Sequence, residues 1–216
     1  MPMPGPHDGQ PVLPAGEPLE SARAAMILVH GRGASAADIM TVGAELPHSG
    51  FAYLAPEAAG HAWYPHPFTA ALESNEPYLS SALGVLETLL EKVRAHVPPE
   101  RVILLGFSQG ACLTLEFAAR HAQRYGGVIA FSGGLIGPDG TPHDYPGTFH
   151  GTPAFIGCSD VDPHIARDRV VEAGAVLKRM GANVTVRLYP NMAHTVNADE
   201  IHSAAQIVEA VAHEVE

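Results

Sequence analysis

The sequence is poor in cysteine and in basic residues. Its two cysteines, Cys112 and Cys158, are too few for a disulfide framework and are not spaced as metal ligands, so we expect both to be small buried residues. The 12 lysines and arginines are outnumbered by 23 aspartates and glutamates, which gives a formal net charge of −11. This charge repels phosphate backbones and anionic membrane surfaces, so a nucleic acid is not expected as a partner.

Long apolar runs are also missing. No run approaches the roughly 18 residues needed to cross a bilayer, and the N-terminus lacks the basic start and apolar stretch of a signal peptide. We therefore expect a cytoplasmic protein without stable membrane insertion. The length of 216 residues and the 46% hydrophobic content predict a single domain over 21–216. The prolines and glycines of residues 1–20 predict a tail or a short edge segment.

The rest of the chain alternates short β-rich runs with longer segments of helical period. The predicted strands are Ala24 to His30, Phe51 to Ala55, Arg101 to Gly106, Gly127 to Ser132, Pro153 to Cys158 and Val184 to Tyr189. The predicted helices are Ser35 to Leu46, Tyr78 to His96, Gln109 to Tyr125, Ile165 to Met180 and Ala198 to Val215. Ser35 with Asp38 is a helix start signal, and Pro98, Gly126 and Gly181 are helix stop signals that support these bounds. The alternation predicts an α/β fold with a mostly parallel sheet covered by helices on both faces.

The most informative motif is Gly106-Phe107-Ser108-Gln109-Gly110, which directly follows a predicted buried strand. In such a G-x-S-x-G turn the chain passes abruptly from strand to helix, and the serine hydroxyl stands clear of the sheet as a nucleophile. The alternative is an ordinary strand-to-helix turn in which Ser108 only caps the helix.

A serine hydroxyl needs an imidazole to accept its proton and a carboxylate to hold that imidazole. His194 follows the last predicted strand, and Asp160 and Asp162 follow the fifth. Ligands of open α/β sheets bind beyond the carboxyl ends of the strands, so these groups fall on one edge. We favour Asp162 as the orienting carboxylate because the following proline favours an extended turn there, whereas Asp160 would more naturally brace the loop.

A tetrahedral intermediate also needs two N–H donors, one after the nucleophile and one from the loop after an early strand. The backbone N–H groups of Gln109 and Arg32 have these positions, and Gly31 and Gly33 would let the loop approach closely. A plain glycine turn is the competing interpretation. His30 is expected to pack and hydrogen-bond within the loop.

Together these segments resemble the phospholipase/carboxylesterase family of α/β-hydrolases, which includes small bacterial carboxylesterases and acyl-protein thioesterases. The resemblance spans about residues 22 to 212, and it is carried by Leu28 to Gly33, Gly106 to Gly110, Asp160 to Pro163 and Tyr189 to His194. It implies an α/β-hydrolase fold in which Ser108 is nucleophile, His194 base and acid, and Asp162 the orienting carboxylate. The chain departs from the family pattern at Arg32, where a small apolar residue is frequent. It also lacks the proline that family members often have a few residues beyond the Asp162-Pro163 pair. These two differences leave the identity of the substrate open.

Two long connections are expected to form the mouth of the site, Pro56 to Pro77 and Gly133 to Thr152. The candidate substrate-binding residues are Trp63, Tyr64, Phe68, Leu135, Ile136 and His164. The alternative for the aromatic residues is that they seal the core beneath a loop. Neither His61 with His66 nor His143 with His150 has the spacing of a known metal site, so no metal or other cofactor is expected. No insertion large enough for a lid domain is visible.

The sequence therefore predicts a carboxylic ester hydrolase that acts on small-molecule esters or thioesters, with lysophospholipids also open. A catalytically silent binding protein, or a transacylase or C–C bond hydrolase with the same triad, is the alternative. A homodimer is left open.

Overall fold

The computed structural model describes residues 5–46 and 49–213, which contain seven β-strands and five α-helices. The strands are β1 Val12–Gly16, β2 Ala24–Val29, β3 Phe51–Pro56, β4 Val102–Phe107, β5 Gly127–Phe131, β6 Pro153–Ser159 and β7 Asn183–Tyr189. The helices are α1 Ala36–Ala44, α2 Tyr78–Arg94, α3 Gln109–Arg120, α4 Arg167–Arg179 and α5 Ala198–His213. Short 3₁₀ helices lie at Ala59–His61, Leu72–Asn75 and Pro99–Arg101.

The strands form one sheet in the order β1-β3-β2-β4-β5-β6-β7. All neighbouring pairs from β3 to β7 are parallel, and β1 pairs antiparallel with β3, with Val12 opposite Pro56. The predicted α/β architecture is confirmed. The first strand lies within the residues predicted to be a tail or edge segment, and it forms one edge of the sheet.

Each face of the sheet carries its own apolar core. Successive side chains of β4 alternate between them: Val102 and Leu104 belong to the core covered by α2, α3 and α4, and Ile103 and Leu105 to the core covered by α1 and α5. This alternation follows from the two-residue period of a strand. Burial on both faces explains why the central strands are apolar throughout.

The helix starts follow their local signals more closely than the helix ends. Ser35 and Asp38 form a reciprocal capping box at the start of α1, as predicted, and Gly181, with a positive φ of 88°, follows the end of α4. The predicted end of α3 near Gly126 is wrong, because the helix stops at Arg120. The buried Tyr125 donates its backbone N–H to the Thr152 hydroxyl, which draws the chain out of the helical path before the glycine.

Part of two predicted segments lies outside the described residues: positions 1–4 of the N-terminal segment and 214–215 of the last helix. Within the described ranges, no helix combines the length and apolar character that a membrane crossing requires.

Candidate active site

Ser108 lies at the sharp turn between β4 and α3 with φ 55° and ψ −121°, a strained backbone for a non-glycine residue. Its N–H donates to the Phe131 carbonyl of the neighbouring strand, which fixes the turn. A Cβ at Gly110 would overlap the carbonyls of Val29 and His30, so the helix can approach β2 only with glycine there. The Ser108 side chain makes no capping bond to α3, which removes the alternative that it merely caps the helix.

The Ser108 hydroxyl instead contacts His194. The distance from His194 Nε2 to Ser108 Oγ is 2.9 Å, and His194 Nδ1 lies 2.6 Å from Asp162 Oδ2. Three side chains from the ends of β4, β6 and β7 therefore form one hydrogen-bonded chain. Phe107 and His164 pack against the His194 imidazole with ring centroids 5.0 and 4.9 Å away, and this packing restricts its rotation.

The carboxylate of Asp162 is fully buried and has several donors. Oδ1 accepts the backbone N–H groups of His164 at 2.8 Å and Ile165 at 3.0 Å, and the Cys158 thiol lies 3.7 Å from Oδ2. Burial by itself raises the pKa of Asp162, but the hydrogen bonds from His194, His164 and Ile165 outweigh that effect and hold the pKa below its ordinary value. Asp162 is therefore ionised and can accept a hydrogen bond from the N–H of His194 Nδ1.

Asp160 has different hydrogen-bond partners from Asp162. Its Oδ1 accepts the N–H of Asn191 at 2.8 Å, and its own N–H donates to the Tyr189 carbonyl. The residue thus ties the end of β6 to the loop that carries His194. The sequence left Asp160 open as the partner of His194, and the structure gives that contact to Asp162.

Arg32 and Gln109, the predicted N–H donors, line the same cleft as Ser108. Among the described residues neither N–H has an acceptor. A Cβ at Gly31 would lie 3.3 Å from the Ser108 Cβ, so the loop passes close to the serine. Unused backbone donors in the cleft of a nucleophile are what stabilisation of a negative oxygen requires.

A cleft of about 520 Å³ opens above Ser108. Of the candidate substrate-binding residues, Tyr64, Phe68 and His164 line it, together with Pro67, Ile165 and Cys112. Burial raises the pKa of the Cys112 thiol to about 12, so the floor of the cleft is uncharged there. The surface around Phe68 and Ile165 is apolar and suits an acyl or aromatic group.

The other three candidates do not reach the cleft, and that part of the prediction is corrected. Trp63, Leu135 and Ile136 are at most 1% exposed and belong to the core shared by α2, α3 and α4. The Trp63 indole N–H donates to the His30 carbonyl, which turns the ring inward. His30 itself is buried, and its ring nitrogens contact the Gly31 carbonyl and the Ala58 N–H, as expected for a loop residue.

The side chains of Gln109 and Arg32 have contacts that the sequence did not predict. The side-chain amide of Gln109 accepts a hydrogen bond from the backbone N–H of Trp63 and donates one to the Tyr64 carbonyl, both at 2.8 Å. The Arg32 guanidinium donates to the carbonyls of Tyr64, Pro65 and His66. The two residues predicted as N–H donors therefore also hold the aromatic wall of the cleft, and no local pattern indicates this because the partners lie more than 30 positions away.

Arg169 of α4 was also missed. The residue is buried, pairs with Glu172 and Asp139, and donates to the Leu135 carbonyl at 2.8 Å. Its guanidinium lies 5.2 Å from the centre of the Phe68 ring. Arg169 thus joins the two long connections behind the wall of the cleft.

A second cleft of about 610 Å³ adjoins the first and shares Gly31, Ala34 and Phe107 with it. Its other walls come from α1 and from residues 195–201, and they include Asp38 and Glu45. Within residues 5–46 and 49–213, no three histidine, cysteine, aspartate or glutamate side chains are grouped as metal ligands would be.

Comparisons with known proteins show the family and the fold. A family model described as phospholipase/carboxylesterase matches residues 15–212. A crystal structure of a phospholipase/carboxylesterase from Dyadobacter fermentans superposes with a TM-score of 0.90 at 39% identity, covering 93% of this chain and 97% of that one. The Bacillus cereus carboxylesterase superposes with a TM-score of 0.74 at 15% identity, over 94% of this chain and 95% of that one, which shows a common fold.

Sequence relatives include acyl-protein thioesterase 1 of Saccharomyces cerevisiae, 26% identical over 136 residues, which are 62% of this chain and 60% of the relative. The protein of the same name from Candida albicans is 29% identical over 136 residues, 61% of this chain and 59% of the relative. The chain thus spans less than two thirds of the length of these relatives.

Proposed function

Because the chain belongs to the phospholipase/carboxylesterase family, we propose that it is a serine hydrolase that cleaves carboxylic esters, and thioesters by the same chemistry. The observation that carries the proposal is the hydrogen-bonded chain from Ser108 through His194 to the buried carboxylate of Asp162. This arrangement lies in a cleft wide enough for a small molecule.

The proposed first step forms an acyl-enzyme. Ser108 Oγ attacks the carbonyl carbon of the ester while His194 Nε2 takes the hydroxyl proton, and the Asp162 carboxylate stabilises the resulting imidazolium. The carbonyl oxygen becomes an oxyanion that accepts the N–H groups of Arg32 and Gln109. When the oxyanion collapses, the bond to the leaving alcohol or thiol breaks, and His194 gives that group its proton.

The proposed second step hydrolyses the acyl-enzyme and regenerates the free enzyme. A water molecule loses a proton to His194 Nε2 and attacks the acyl carbon, and the bond to Ser108 Oγ breaks as the proton moves back to the serine. The products are a carboxylic acid and an alcohol or thiol. Tyr64, Phe68 and His164 form the proposed wall that contacts the substrate in both steps.

The proposal is tested with Ser108→Ala, His194→Ala and Asp162→Asn on a p-nitrophenyl ester. Each substitution should lower kcat by about 10⁴-fold or more, because the three groups act as one unit. A fluorophosphonate probe should label the natural chain and not Ser108→Ala. His96→Ala, an exposed histidine beyond the end of α2, is the matched control and should keep full turnover. Undiminished hydrolysis by Ser108→Ala would refute the proposal.

The cytoplasmic location, the homodimer and the division of the chain at residue 20 stay predictions. Esters of a graded series of acyl lengths, each paired with its thioester, would define the acyl chain and leaving group.

A further inference from the structure

The cleft above Ser108 differs in charge from the rest of the molecule. The whole chain carries a formal charge of −11, but among the described residues no aspartate or glutamate lines this cleft, whereas Arg32 does. The carboxylate of Asp162, next to the cleft, is fully buried and paired with His194. A positive group is therefore exposed where the reaction is proposed to take place.

The Arg32 guanidinium is held in place without a carboxylate partner. Its three hydrogen bonds go to backbone carbonyls, which are neutral, and within the described residues no carboxylate lies within 4 Å of it. Arg120 and Arg169, by contrast, pair with the carboxylates of Glu116 and Glu172. A guanidinium has five N–H groups, and the three bonds use both on Nη2 and one on Nη1, so the Nε–H and one Nη1–H remain, and each of them can donate to a ligand oxygen.

The neighbouring cleft has the opposite charge. Its lining, as far as the structure describes the chain, includes the carboxylates of Asp38 and Glu45 and no lysine or arginine. Because the two clefts meet at Gly31, Ala34 and Phe107, an elongated substrate could extend from Ser108 into either one. An anionic substituent would be attracted towards Arg32 and repelled from the second cleft.

We propose that Arg32 selects substrates that carry a carboxylate a few bonds from the scissile ester. This inference rests on the proposed function and names its substrate class. The guanidinium would bind the carboxylate through one of its two unused N–H groups, and it belongs to the same residue whose backbone N–H is proposed to bind the oxyanion. The three bonds to the carbonyls of residues 64–66 fix the guanidinium before the substrate arrives, so little side-chain freedom is lost on binding.

The test compares esters of matched shape. For the acyl side, p-nitrophenyl hemiglutarate is paired with p-nitrophenyl 5-methylhexanoate, in which an isopropyl group replaces the carboxylate. For the alcohol side, 4-carboxybenzyl butyrate is paired with 4-isopropylbenzyl butyrate. The quantity measured is the ratio of kcat/KM for the charged ester to that for the neutral one, after subtraction of the uncatalysed rate.

We expect a ratio of about 10 to 100 for at least one pair in the natural protein, as for a hydrogen bond between charged groups. Raising the salt concentration from 0.05 to 0.5 M should lower the ratio, since the site is open to solvent. Arg32→Gln should bring the ratio close to 1, even where the rates on both esters fall because the wall at residues 64–66 loosens. Arg32→Lys should keep part of the preference.

The matched control is Arg94→Gln, which removes the same charge at an exposed position outside both clefts and should leave the ratio unchanged. A ratio near 1 for both pairs in the natural protein would overturn the inference and leave the ester hydrolase standing. A preference that persists in Arg32→Gln would overturn it as well. If Arg32→Gln does not fold, the ratio of the natural protein, its salt dependence and Arg32→Lys decide the matter. Failure of the natural protein to hydrolyse any of the four esters would overturn the proposed function itself.

Discussion

Glu200 is a fully buried glutamate in the first turn of α5, just after the loop that carries His194. Its Oε2 accepts the N–H of Asn197 at 2.9 Å, while the Asn197 side chain accepts the Glu200 N–H, so the two residues cap the helix. Oε1 has no hydrogen-bond partner among the described residues and lies against Gly157 of β6. Replacement by glutamine keeps the shape and the capping contact, and removes the ionisable group.

The magnitude follows from the pKa. Burial raises the pKa of Glu200 from 4.5 to about 7, and the bond from Asn197 only partly offsets this. In the unfolded chain the carboxyl titrates near its ordinary value, so between about pH 4.5 and 7 the folded protein binds one more proton than the unfolded one. The free energy of unfolding therefore falls as the pH rises through this window, by about 1.4 kcal/mol per pH unit and about 3 kcal/mol in total.

The assay is urea unfolding from pH 4.5 to 9, followed by the fluorescence of Trp63, which is the only tryptophan and is buried. Glu200→Gln should be about as stable as the natural protein at pH 4.5 and about 3 kcal/mol more stable above pH 7.5. Glu209→Gln, an exposed glutamate on the same helix, is the control and should show no pH-dependent gain.

A difference between Glu200→Gln and the natural protein that does not change with pH would refute this reasoning, because it would mean that Glu200 is ionised at the same pH in the folded and unfolded chains. A loss of stability in Glu200→Gln above pH 7 would refute it more directly, since the charged carboxylate would then stabilise the fold.

Three further outcomes are expected. Asp160→Asn should lower kcat by about tenfold or less, against at least about 10⁴-fold for Asp162→Asn, because Asp160 braces the loop and does not contact His194; equal losses on a p-nitrophenyl ester would contradict this. Gln109→Ala should reduce the free energy of unfolding by about 1–3 kcal/mol in urea titrations, since the Trp63 N–H and Tyr64 carbonyl lose their buried partners, and a change below about 0.5 kcal/mol would be inconsistent. Arg169→Met should raise KM more than it lowers kcat for an aromatic ester, because the guanidinium supports the Phe68 wall and not the reacting groups; an unchanged KM would argue against that support.

The local sequence pattern was enough to predict the helices and strands and the position of the candidate site. The β-branched and apolar runs gave every parallel strand to within about a residue, because a strand buried on both faces must be apolar along its whole length. The order of Ser108, Asp162 and His194 after separate strands placed them at one edge for the same topological reason. The edge strand Val12–Gly16 was less visible because all five of its residues are exposed and it contains a proline.

The sequence by itself determined the α/β architecture, the strained serine turn and a short set of groups able to do acyl-transfer chemistry, because each depends on residues close together in the chain. Only the tertiary structure decided between Asp160 and Asp162, turned Trp63, Leu135 and Ile136 into the core, and brought Arg32 and Gln109 against residues 63–66. Those outcomes depend on contacts between segments that are 30 or more positions apart, and the side-chain packing that selects among such contacts leaves no periodic trace in the sequence.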